Sequence, residues 1–182
     1  MCIRDRVGPA LADEANQIGP LVTPAARDKI NALVDGAVAG GAVVHAESSW
    51  PQESPGAFVP VRVLTNVAPD AEIVRTEIFG PVAPIATFGG YGEEGERTAL
   101  KLANDTEYGL AAYVYTSNHP RFTRMAAGLE FGLIGYNSGV ISNAAAPFGG
   151  VKQSGMGREG GPEGLEEYTE LQYIGTPNPF AG

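Results

Sequence analysis

The stretch LAAYVYTSNHPRFTRMAAGLEFGLIGYN, residues 110–137, decides the fold. Residues 110–116 form a nearly continuous apolar run of strand length, and residues 133–137 form another. Between them Pro120 opens a segment to residue 129 whose apolar residues recur at helical spacing. Buried strand, helix, buried strand is the unit of a parallel sheet, because parallel neighbours need a crossover connection. Working outward, residues 93–103 show helical spacing, and residues 82–88, 58–67 and 42–45 read as strands. A polar, proline-bearing loop over residues 48–56 separates the last two. Thr23 has the chemistry of an N-cap and Pro24 suits the first helical position. Ile30, Leu33, Val34, Ala37 and Val38 then follow at three- and four-residue spacing until Gly40 and Gly41 stop the helix. Beyond the opening stretch, residues 163–168 read as a helix and residues 169–174 as a final strand. The expected class is α/β with a parallel sheet.

Composition narrows the function. With 182 residues, 43% of them hydrophobic and 18% charged, the chain is long enough for one core of ordinary size. The formal net charge of -9 argues against nucleic acid or an anionic membrane surface as a partner, since phosphate affinity comes from clustered Lys and Arg. The apolar runs fall well short of the roughly 20 residues needed to span a bilayer. Arg4, Asp5 and Arg6 interrupt any signal-peptide core. One cysteine, Cys2, excludes an intramolecular disulfide framework, and with His45 and His119 as the two histidines no zinc-type cluster is expected. The expected compartment is a reducing cytoplasm.

Five segments carry a family pattern: IGPLVTPAARDKI at 18–30, EIFGPVAPI at 77–85, LANDTEYGLAAYVYT at 102–116, LEFGLIGYNSG at 129–139 and PFGGVKQSGMGREGG at 147–161. In this order they resemble the C-terminal portion of the aldehyde dehydrogenase superfamily, most of all succinate-semialdehyde dehydrogenases. The resemblance covers residues 7–174. It implies a Rossmann-like, parallel-sheet catalytic domain, here a C-terminal part over residues 7–161. Residues 162–182 would then form a helix, an oligomerisation strand and a tail. Residues 1–6, MCIRDR, match no part of the pattern and are expected to reflect a truncated or wrongly joined reading frame.

The resemblance also implies a mechanism. A cysteine thiolate attacks the aldehyde, hydride passes to NAD or NADP, and water activated by a glutamate hydrolyses the thioester. Neither that cysteine nor that base matches a residue here, so no catalytic residue is assigned and the chain alone is expected to be inactive. The residues that distinguish NAD from NADP lie outside the matched part. A homo-oligomer, dimer or tetramer, formed through the C-terminal strand is expected, with a small aldehyde as substrate. Two other readings stand beside this one: a relative acting on another semialdehyde, and a non-catalytic fragment that binds or assembles.

On residue type alone, Glu77 reads as a surface charge at a helix end and Phe79 as ordinary core. The resemblance gives both a cofactor role. The glutamate would accept hydrogen bonds from the nicotinamide ribose hydroxyls, for which a carboxylate is a good bidentate acceptor, with the aromatic ring packed beside it. Gly80 and Pro81 turn the backbone immediately after them. Asn137 ends the last strand of the opening stretch, and small residues over 138–147 lead to Phe148. Loops at strand ends are where α/β proteins place ligand contacts. By resemblance, this loop and Phe148 wall the aldehyde tunnel. Ser142, six residues before Phe148, stands where succinate-semialdehyde dehydrogenases tend to have serine and many relatives a bulkier residue. Its hydroxyl would donate to the distal carboxylate of succinate semialdehyde, although composition alone makes it a loop serine.

Gly155, Gly157 and Gly160 spell GxGxxG, but no apolar strand precedes them, so they read as tight turns and close backbone contacts rather than a dinucleotide fingerprint. Arg158 and Glu159 are expected to form a structural ion pair or interface contacts. Glu170 stands where relatives tie subunits together, and a solvated edge charge is the alternative. The chain departs from the family pattern at residues 46–49, at Pro60, Val61 and Arg62, and at FGGYGEEGE, residues 88–96.

Overall fold

The computed structural model describes residues 6–9, 12–50 and 56–177. Cys2 and the rest of the leader before Arg6 lie outside the described residues. Among the described residues twelve elements follow one another: α1 (Pro24–Ala39), β1 (Val43–Glu47), β2 (Arg62–Thr65), α2 (Glu72–Arg75), β3 (Val82–Pro84), α3 (Gly92–Asn104), β4 (Tyr108–Gly109), β5 (Ala111–Val114), α4 (His119–Gly128), β6 (Leu133–Tyr136), β7 (Val151–Lys152) and α5 (Glu163–Glu166). Length alone suggests one core, whereas the chain divides into two compact units, residues 1–98 and 99–182.

The first unit is built on α1. Thr23 is extended and its hydroxyl accepts from the Ala26 amide at 3.1 Å, so the helix starts where its orphan N–H groups first find a partner. Leu33, Val34 and Ala37 bury one face of it against Ala42, Leu64, Val67 and Ile73, and Ala71, Ile78 and Val82 pack around that cluster. Burying each large aliphatic side chain stabilises by about 1.5 to 3 kcal/mol. Val38, expected on this face, is 42% exposed at the helix end. Strands β1 and β2 pair antiparallel and β2 and β3 pair parallel. β1 and β2 are neighbours in sequence and pair as an antiparallel return, whereas α2 lies between the parallel strands β2 and β3.

In the second unit β5 and β6 pair parallel over Ala111–Val114 and Leu133–Tyr136, with α4 as their crossover. Here the βαβ reading of residues 110–137 holds. β4 and β7 form a separate antiparallel pair. The α/β content is as expected, but among the described residues the strands form three small sheets, one mixed, one antiparallel and one parallel, and not a single parallel sheet.

Several strands are shorter than the apolar runs suggest. Phe58 and Val59 are buried, yet pairing begins only at Arg62, because Pro60 has no N–H to contribute to a ladder. β3 includes Pro84, and just beyond it the Ile85 amide still donates to Leu64 O at 2.8 Å. The expected helix over 163–168 closes at Glu166. The expected strand over 169–174 is absent: the segment has no pairing partner among the described residues, and Leu171, Tyr173 and Ile174 are exposed. Alternation of apolar residues makes a strand only where an edge accepts its hydrogen bonds. Among the described residues no helix is long and apolar enough to cross a membrane, and no cluster of three or more His, Cys, Asp or Glu side chains is placed to hold a metal.

Candidate functional site

In the first unit the chain leaves α2 at Thr76 and enters β3 at Val82. Between them Ile78 turns inward onto the core cluster, while Glu77 and Phe79 are exposed. Phe79 adopts φ 52, a left-handed conformation that is uncommon for a bulky residue, and leaves its ring 79% exposed. The Glu77 carboxylate accepts no hydrogen bond and forms no ion pair with any described residue. Its main-chain carbonyl accepts from Lys29 Nζ at 2.8 Å. The turn closes as the Val82 amide donates to Gly80 O at 2.8 Å, and a Cβ on Gly80 would collide with Ile30 Cδ1. The carboxylate and ring are therefore displayed on a framed turn, which is not the core position that residue type suggests for Phe79.

In the second unit Asn137 closes β6 at φ 50. Its side-chain oxygen accepts from the Thr116 amide at 2.9 Å and its side-chain nitrogen donates to Thr116 O at 3.0 Å, so the side chain extends the β5–β6 ladder by one further pair. The loop that follows is folded by its own polar groups. Ser138 Oγ donates to Val140 O at 2.8 Å, and Asn143 Oδ1 accepts from the Ala145 amide at 2.9 Å. Phe148 and Glu159 then exchange main-chain hydrogen bonds of 2.6 and 2.7 Å. Ser142, Asn143, Ala144, Phe148, Glu159 and Gly160 line a cavity of about 400 Å³. Gly160 has φ 69, and a Cβ there would lie 2.9 Å from Ala146 O, so only glycine lets the two chain segments meet at this wall.

The structure thus brings Ser142 and Phe148 to one cavity and Glu77 and Phe79 to one turn. Asn143 lies in the loop expected to form this wall, although it was not singled out, and Glu159 was missed as a wall residue. A second cleft of about 640 Å³ adjoins Phe148 and the glycine-rich segment. There Arg158 is not in the ion pair with Glu159 that was one of its two expected roles. Its Nη1 donates to the carbonyls of Gly150, Met156 and Gly157 at 2.8, 3.1 and 2.9 Å, and no ion pair joins it to Glu159. Loop carbonyls at this range satisfy the guanidinium, while adjacent side chains on an extended chain point apart.

The family model described as the Aldehyde dehydrogenase family matches residues 4–174. The chain belongs to that family. It is 54% identical over 168 residues to succinate-semialdehyde dehydrogenase of Paenarthrobacter nicotinovorans, an alignment that takes in 92% of this chain and 36% of that protein. It is 42% identical over 167 residues to a non-phosphorylating aspartate-semialdehyde dehydrogenase of Halomonas elongata, with 92% and 32% covered. Among solved structures, betaine aldehyde dehydrogenase of Staphylococcus aureus in complex with NAD+ superposes with a TM-score of 0.79 at 37% identity, over 90% of this chain and 32% of that one. This aldehyde dehydrogenase chain spans about a third of the length of the relatives it matches.

Proposed function

We propose that this chain supplies cofactor and substrate contacts to an NAD(P)-dependent aldehyde dehydrogenase that oxidises succinate semialdehyde to succinate. The observation that carries the reading is the shared cavity of Ser142 and Phe148, which sets a free hydroxyl beside an aromatic wall. A hydroxyl donor suits the distal carboxylate of a semialdehyde, and a ring suits its methylenes. The 54% identical relative, named for succinate semialdehyde, supports the same substrate. A second semialdehyde is the alternative, supported by the relative named for aspartate semialdehyde.

The exposed turn fits a nicotinamide cofactor. Glu77 offers a carboxylate without a partner, the acceptor that a ribose diol needs, and Phe79 offers an open ring face held by the backbone. When bound, NAD or NADP supplies the hydride acceptor. Glu77 binds and orients, Phe79 limits where the ring can lie, and Ser142 holds the far end of the aldehyde. The nucleophile and general base are assigned to no residue of this chain, whose single cysteine is Cys2. Residues 7–161 belong to the Rossmann-like catalytic domain in this reading. Residues 162–182, with Glu170, serve assembly of a homo-oligomer in the cytoplasm.

The test is Glu77→Gln in the complete enzyme, which keeps shape and one acceptor but removes charge. A nicotinamide displaced by about an ångström can cost on the order of 100-fold in rate. The chemical step should slow and the isotope effect with deuterated aldehyde should rise, while alkylation of the active cysteine stays near normal. An unchanged isotope effect with unchanged cofactor affinity leaves Glu77 a surface charge only.

A further inference from the structure

The turn that displays Glu77 and Phe79 contains a conformation that needs to be held. A bulky residue in the left-handed region persists only where its surroundings over-determine it. The Phe79 ring provides little of that hold, since it is 79% exposed. Two consecutive residues of α1 provide more. Lys29 Nζ donates to the main-chain oxygen of Glu77 at 2.8 Å, across 48 residues of sequence. Ile30, only 1% exposed, occupies the space under Gly80 that a Cβ would need. One contact fixes the peptide at the start of the turn and the other fixes its end, so Phe79 is bracketed. Ile78, packed on the core cluster between them, leaves the segment little freedom to rotate.

We propose that Lys29 is a positioning residue for the cofactor. Its ammonium pins the Glu77 carbonyl, so that the Glu77 carboxylate and the Phe79 ring meet the nicotinamide half of the cofactor in one orientation. Lys29 acts through the backbone and needs no contact with the ligand. The assignment rests on the cofactor reading of Glu77 given above. A charge-assisted bond suits this task, being stronger than a neutral one and anchored on a 16-residue helix.

Two measurements test it. In the 182-residue chain, backbone order parameters of Ile78 and Phe79 should lie near 0.85, fall below about 0.6 in Lys29→Met, which keeps the aliphatic stem, and recover in Lys29→Arg. In the complete enzyme, Lys29→Met should lower kcat by about 10- to 100-fold at unchanged aldehyde KM. It should also raise the isotope effect with deuterated aldehyde, and Lys29→Arg should restore most of the rate. A merely structural lysine would lower thermal stability without moving the isotope effect. Order parameters that do not change, or kinetics that do not change in an enzyme that Glu77→Gln impairs, overturn the role of Lys29 alone. If Glu77→Gln is itself silent, the cofactor reading of the turn fails and the positioning role falls with it.

Discussion

Two of the places where the sequence is expected to leave the family pattern touch each other. Arg62 Nε and Glu47 Oε2 lie 2.6 Å apart across the β1–β2 pair, and Arg62 Nη1 also donates to Asn31 on α1 at 3.1 Å. Beside them Ser48 is buried, and its hydroxyl accepts from the Val61 amide at 2.9 Å. Glu47 and Ser48 of the first segment and Val61 and Arg62 of the second therefore form one contact set, which neither segment reveals when read alone. Ser142 is different, because its contribution depends on what enters its cavity. Ser142→Ala in the complete enzyme should weaken turnover of succinate semialdehyde by about 1.5 to 3 kcal/mol of transition-state binding, the range for a hydrogen bond to a charged group. A short uncharged aldehyde should be spared, and steady-state kinetics on the pair decides it. Equal losses for both would make Ser142 a loop serine.

At the scale of elements, α1 and the β5–α4–β6 unit were legible because their signals are local. Periodicity, a capping threonine and two prolines each act within a few residues of where they stand. Thr23→Ala removes the acceptor of the Ala26 amide and should cost about 1 kcal/mol, read as a lower denaturant midpoint with an unchanged slope. What failed was strand pairing, which depends on distant partners. The apolar run over 58–67 shows that the segment is buried but not that Pro60 withholds a donor. The four-residue α2 was missed because one turn carries no period to detect. At the candidate site, the glutamate and aromatic of the turn and the serine of the loop were proposed through family likeness and not from residue type. Lys29 was not, since a contact spanning 48 residues leaves no trace in spacing.

For the whole molecule, the expectation follows from what the chain contains. The 182-residue protein should show no aldehyde-dependent reduction of NAD or NADP, because its single thiol, Cys2, stands in no matching context with a partner base. Absorbance of the reduced nicotinamide during incubation with succinate semialdehyde measures this directly. Activity abolished by Cys2→Ala would refute it. The two units also differ in what they bury. Ile30, Leu33, Val34, Phe58, Leu64 and Ile73 are all buried in the first, whereas Met125 is the only buried hydrophobic side chain of the second among the described residues.

That disparity has a calorimetric meaning. The heat capacity of a protein rises on unfolding in proportion to the apolar surface newly hydrated, by about 12 to 15 cal/mol/K per residue in an ordinary domain. The second unit, with one buried hydrophobic side chain among the described residues, should fall below that range and show a flatter stability curve, which calorimetry checks. Its stability should change little with moderate warming or cooling, whereas the first unit should show the curved profile of an ordinary core, with a temperature of maximum stability and a decline on either side.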